Sequence, residues 1–308
     1  GHEPVVALLL EAGADKDKED EDGDTPLLIA ALTGHEPVVA RLLEAGADKD
    51  KAAQDGATPL IMAAQNGHEP VVARLLEAGA DKDKATHGGA TPLFNAAWKG
   101  YNGVVAQLLE ANADKEKSTA SQATPLCIAA QKGYKLVVAQ LLEAGADKEK
   151  ARLGGMTPLY IAAENGYEPV VALLLEAGAD KDKVTEYGAT PLHIAAEKGH
   201  EAVVALLLEA GADKDKAKPD GVTPLYIAAE KGHQKVVGAL FTAGAAAGEQ
   251  GYSEIAELMR RQGHEACARI LESRERMAAF RIHRFWRDVT CNPLFALCRR
   301  KVEEDLRD

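Results

Sequence analysis

Aromatic residues make up only 5% of this 308-residue chain, although 46% of it is hydrophobic. Apolar burial must therefore come from Ala, Leu and Val in thin layers rather than from a thick core of large rings. No apolar run approaches the ~20 residues that a membrane-spanning helix needs. Cysteine is scarce as well: Cys127, Cys267, Cys291 and Cys298 are too few for a disulfide scaffold and point to a reducing, intracellular, cytoplasmic setting. None has C-x2-C spacing, so His264, Cys267, His283, Cys291 and Cys298 make no zinc pattern. Arginine is nearly missing from residues 1–248, which carry 3 Arg and 21 Lys against 37 acids; residues 249–308 carry 11 Arg and 1 Lys against 11 acids. With a net charge of −12, the chain lacks the basic footprint of sequence-independent nucleic-acid binding. The most acidic stretch, Asp15 to Asp24, would need Gly and Glu at the sixth and twelfth positions of a calcium loop, where Asp20 and Pro26 stand. The glycines between Ala245 and Gly251 have no Lys-Ser/Thr pair and form no phosphate loop. No nucleophile–base pair is present, so neither catalysis nor a cofactor is expected.

What is present is one unit, repeated. Thr25, Thr58, Thr91, Thr124, Thr157, Thr190 and Thr223 each open a copy 33 residues after the last, and a fixed period of this length signals a stacked array. In the copy from Ala57 to Lys84, Thr58 can cap a helix and Pro59 suits its first turn. Leu60, Ala63 and Ala64 form a narrow apolar face that ends at Gly67. A second helix, starting near Pro70, carries Val71, Val72, Leu75 and Leu76 at helical spacing. Gly79 follows at a left-handed step, where Asn112 stands in the next copy. A polar loop with Gly56 at its turn joins the copies. Neither helix can bury its face alone, so copies must stack.

The 33-residue period and the run Thr190, Pro191, Leu192, His193, Ala195 closely resemble the ankyrin repeat, with its T-P-L-H-x-A signature. The resemblance covers about four-fifths of the chain. It implies an all-α solenoid of antiparallel helix pairs with finger-like loops projecting to one side, built from residues 1–248. The Gly1-His2-Glu3-Pro4 start lies mid-repeat, so the chain is expected to be a fragment of a longer array, with any targeting signal upstream. Residues 249–271 read as a degenerate capping repeat, in which Gly263-His264 keeps the Gly-His step. The fingers read Asp-Lys-Asp-Lys, as at Asp48 to Lys51; exposed pairs of this kind are each worth ~0–1 kcal/mol, and the ladder is expected to serve solubility and register.

In ankyrin proteins the loop tips and the two residues after the Ala-Ala pair line a concave groove that binds a protein partner. Carried over, that groove includes Trp98, Lys99, Gln131, Lys132, Glu164 and Lys198, with His87, Leu153, Met156 and Tyr187 from the loop tips. Copies three and four depart most from the common unit, and Trp98 is the only large apolar residue in the two-residue groove slot of copies two to seven, of the type that most often anchors an interface. The alternative is drift, with Trp98 on the floor and no partner. Asn95 occupies a slot that is Ile in five other copies and is expected to bond a neighbouring loop. The slot shared by His35, His68, His200, His233 and Tyr101, Tyr134, Tyr167 wants a flat polar ring, not a metal ligand.

Residues 272–308 leave the repeat for an Arg-rich amphipathic helical tail. Within it, Ala278 to Arg287 resembles an IQ motif, which implies a calmodulin-like EF-hand partner; Ile282, Phe285, Trp286 and Arg287 match, with Phe280 alongside. His283, Asp288 and Asn292 depart from that pattern. The competing readings are a helix packed on the last repeat and a passive strut of a larger assembly. The favoured expectation is a non-catalytic scaffold that binds another protein.

Overall fold

The computed structural model describes residues 2–247 and, beyond them, 251–261, 263–265, 268–269 and 271–272. Among the described residues every regular element is a helix. The first, α1 (Glu3–Glu11), precedes seven helix pairs. The first helices of the pairs are α2 (Pro26–Leu32), α4 (Pro59–Asn66), α6 (Pro92–Lys99), α8 (Pro125–Lys132), α10 (Pro158–Asn165), α12 (Pro191–Lys198) and α14 (Pro224–Glu230). The second helices are α3 (Glu36–Glu44), α5 (Glu69–Glu77), α7 (Asn102–Glu110), α9 (Lys135–Glu143), α11 (Glu168–Glu176), α13 (Glu201–Glu209) and α15 (Gln234–Thr242). Among the described residues the last of these helices is α16 (Gly251–Arg261), which packs against α14. First helices stack on first helices and second on second, giving an inner and an outer row.

Local chemistry sets these boundaries. In α4 the Thr58 hydroxyl accepts the Ile61 amide at 3.3 Å, Pro59 opens the helix where its missing N–H is harmless, and Gly67 ends it at φ 74°. After α5, Gly79 turns left-handed at φ 75°, so that its own amide and that of Ala80 return to the Leu76 and Leu75 carbonyls. Asn112 takes the same conformation at φ 58°.

Neither row could stand alone. Leu60, Ala63, Ala64, Val71, Val72 and Leu75 are all buried, and their counterparts form one apolar cluster running from Leu27 to Leu271. Each fully buried Leu or Val contributes about 1.5–3 kcal/mol. The small Ala pair lets the inner helices approach closely.

The ring slot at the start of each outer helix serves the same contact. The Tyr101 ring lies on Gly67, where a Cβ would meet it at 2.9 Å, and His68 lies on Gly34 in the same way. The histidines add a bond: the Nε2–H groups of His68, His200 and His233 donate to the carbonyls of Leu32, Glu164 and Glu197 at 2.9–3.0 Å. Gly67 therefore meets two demands, a left-handed φ and a ring pressed against its Cα.

Two expectations need correction. Asn95 does not bond a neighbouring loop. Its Nδ2 donates to the Thr91 carbonyl at 3.1 Å, one turn back in its own helix, because a short amide reaches that acceptor most directly. The fingers, too, are more than a row of exposed ion pairs. The Asp114 amide donates to Asp83 Oδ1 at 2.7 Å while Lys117 Nζ donates to the Asp83 carbonyl at 2.6 Å, joining two copies. The pattern recurs at Asp17, Asp50, Glu116 and Asp182. The first Asp of each finger bonds its own loop instead, as Asp81 Oδ1 does with the Asp83 amide at 2.9 Å. A charged partner thus satisfies a backbone group at each step, which is a stronger arrangement than a screened surface pair.

Candidate functional site

The inner face is built from two rows. One is the C-terminal end of each inner helix, where the two residues after the Ala pair sit. The other is the row of loop tips. A second set of bonds ties the tips together: the amides of His87, Ala120, Leu153 and Glu186 donate to the carbonyls of Asp55, Gly88, Ser121 and Gly154 at 3.0, 3.0, 3.4 and 3.1 Å. The row stops at the next step, where Pro219 has no amide hydrogen and packs its ring over Gly188. The tips that carry His87, Leu153 and Tyr187 therefore stand on a hydrogen-bonded support.

On the floor, Trp98 is 38% exposed, and Lys99 Nζ lies 4.9 Å from the centre of its ring, a cation–π distance. Lys132 and Lys198 are exposed, and Gln131 and Glu164 are half-buried. At the tips, His87 is exposed, Leu153 is 54% exposed and Tyr187 is 78% exposed. Met156 differs from its neighbours. It is half-buried and packs against the core and against a small cluster of Ala123, Cys127 and Ile161.

Sequence reasoning missed Arg152. Its Nη1 donates to Gln131 Oε1 at 2.9 Å and its Nη2 lies 3.7 Å from Met156 Sδ, so it reaches from a fingertip to the floor beside Lys132. Its Nε is buried without a partner. The signal was available: Thr86, Thr119 and Thr185 occupy the equivalent position in sister loops, and Arg152 is the finger's one arginine. Its reach across the copy boundary was not.

The titratable groups here are not arranged for chemistry. Burial pushes the Cys127 thiol up, and its Sγ donates to the Lys150 carbonyl at 3.4 Å, the opposite of an activated nucleophile. Burial, with Glu164 and Glu197 nearby, pushes the Tyr160 phenol up to about 12. Burial lowers His193 to about 4. The His193 Nδ1 accepts from Thr190 and its Nε2–H donates to the Val222 carbonyl at 3.1 Å, so the ring is a neutral structural strut. Among the described residues no cluster of three His, Cys, Asp or Glu side chains suits a metal, and no helix is long and apolar enough to cross a membrane. Phe280, Ile282, Phe285, Trp286 and Arg287 lie outside the described residues.

Comparison with known proteins agrees with this architecture. A family model described as "Ankyrin repeats (3 copies)" matches residues 1–86, 49–119, 93–185 and 178–250. The crystal structure of the human ASB11 ankyrin repeat domain superposes with a TM-score of 0.65 at 30% identity, over 72% of this chain and 99% of that one. No curated protein sequence matches. Stacked helix pairs, Thr-Pro caps, left-handed glycines and the family match together make this chain a member of the ankyrin repeat family.

Proposed function

We propose that the protein is a non-catalytic scaffold that holds a protein partner across its inner face, between the inner-helix ends and the loop tips. Ankyrin repeats generally mediate protein–protein interaction and their fold is typically non-catalytic. The observation that carries the assignment to this face is Trp98. It is a large, partly exposed ring at a position that is polar in the other copies from two to seven, and desolvated aromatics of this kind anchor interfaces. Exposed Leu153 and Tyr187 add apolar contact from the tied tips. Affinity purification followed by mass spectrometry, on the wild-type chain and on a Trp98→Ala/Lys99→Glu variant, tests the assignment. Recovery of the specific partners should fall several-fold in the variant; an unchanged set would overturn it.

The packing of α16 on α14, with Ile255, Ala256 and Met259 buried and Arg260 and Arg261 paired to Glu257 outside, supports residues 249–271 as a closing cap. The scarcity of cysteine supports a reducing, cytoplasmic setting. The IQ-like segment supports an EF-hand partner for the tail on sequence alone, and titration of the chain with calmodulin, with and without calcium, decides it.

A further inference from the structure

The inner face carries an unneutralised positive patch in an otherwise acidic protein, and this deepens the reading above, on which it rests. Lys99 and Lys132 have no carboxylate within ion-pair distance among the described residues, and Arg152 bonds only Gln131 and Met156 on its side-chain nitrogens while its Nε is free. The last lysine of a finger differs: Lys84, Lys117 and Lys150 are each committed to a carbonyl of the preceding copy. One step further along the floor the lysine column is interrupted by the neutral Asn165, with Glu164 beside it. We infer that the inner face at copies three to five recognises an extended acidic segment of its protein partner, with two carboxylates three residues apart and no negative charge at the position that follows.

The spacing comes from the array. Inner helices pack side by side, about 8–10 Å between axes, and an extended segment in the polyproline II conformation rises about 3.1 Å per residue and returns its side chains to the same face every three residues. One copy therefore spans about three residues of a segment laid across the row. A carboxylate over Lys99 places the next over Lys132, beside the positive charge of the Arg152 guanidinium. A third carboxylate at the same interval would meet neutral Asn165 with the like charge of Glu164 beside it, which disfavours extending the acidic run to that step. Trp98, beside Lys99, offers a ring to an apolar side chain between the acids. A nucleic acid is the less suitable anion, because it would lay phosphates continuously over Glu164 and past the carboxylates of the fingers.

Panning random phage-displayed dodecapeptides on the whole chain tests the inference without presuming a sequence. Selected peptides should be enriched in Asp or Glu pairs spaced by three, and should bind the Lys99→Glu/Lys132→Glu variant at least tenfold more weakly. Both lysines are exposed, so the variant keeps its fold, which thermal melting verifies. Raising salt from 50 to 200 mM should weaken the wild-type complex. Peptides without acidic enrichment that still depend on Trp98 would overturn the charge assignment and leave the face intact as a binding site. Peptides insensitive to both Trp98→Ala and the charge reversal would overturn both readings, as would no enrichment at all. Binding of oligo(dT) as tight as the best peptide, and lost in the same variant, would replace the acidic peptide with a nucleic acid.

Discussion

Gln122 holds its backbone at φ 59°, a conformation that the six equivalent loops give to glycine. A left-handed L-residue costs about 1–2 kcal/mol, and glycine's greater unfolded freedom returns part of that on replacement. Gln122→Gly should therefore stabilise the protein by about 0.5–1 kcal/mol, read as a raised urea midpoint with an unchanged slope. His193 gives a pH signature of its own. Its folded-state value is about 4, held below the ordinary 6.5 chiefly by burial. The unfolded chain thus binds the proton first. This ring's contribution is intact above pH 6.5 and is lost as pH falls from 6.5 toward 4, with a slope approaching about 1.4 kcal/mol per pH unit. Carboxylates titrate in part of that window, so the comparison is with His193→Leu, since Leu28 fills the same slot in copy one. The stability of wild type relative to His193→Leu should be greatest near pH 7 and fall steadily below pH 6.

At the scale of the element, the finger behaves as a joint. Asp83→Ala removes the acceptor of the Asp114 amide and should cost about 1 kcal/mol in chemical denaturation, because the site is exposed and water replaces part of the bond. Asp83→Asn keeps a carbonyl acceptor and should lose less. Lys82→Ala should stay within about 0.5 kcal/mol of wild type, as Lys82 holds no polar partner among the described residues. This contrast also marks where the sequence could be read and where it could not. The Thr-Pro caps, Gly67, Gly79 and even Asn112 obey local rules, so their roles were legible from neighbours within five residues. Asp-Lys-Asp-Lys shows its charges but not its partners, which are backbone groups 31 and 34 residues away. Asn95 was misassigned for the converse reason: a buried polar group needs a partner, but the rule does not say that the nearest turn of its own helix supplies it. Arg152 combined both difficulties, a long side chain and a target in the preceding copy.

Across the whole molecule each layer depends on its two neighbours, so stability should be graded from the ends inward. Ile29, in the first inner helix, is 43% exposed, whereas Ile161 in the middle of the row is fully buried. Amide hydrogen exchange should be slowest in copies three to five, from α6 to α11, and fastest in α1 and α16. A single cooperative rate for every helix would contradict this. The best-supported layers are then those that present Trp98, Lys99, Lys132 and Arg152.

The tied row of loop tips has a mechanical consequence. It runs from Asp55 to Glu186 and is interrupted by Pro219, so the step into copy seven lacks the tip-to-tip bond that each of the four steps before it has. Tension applied through the C-terminal side meets that joint before it meets the tied ones. Copy seven and α16 act as a fuse that can peel away while the layers holding a partner stay stacked.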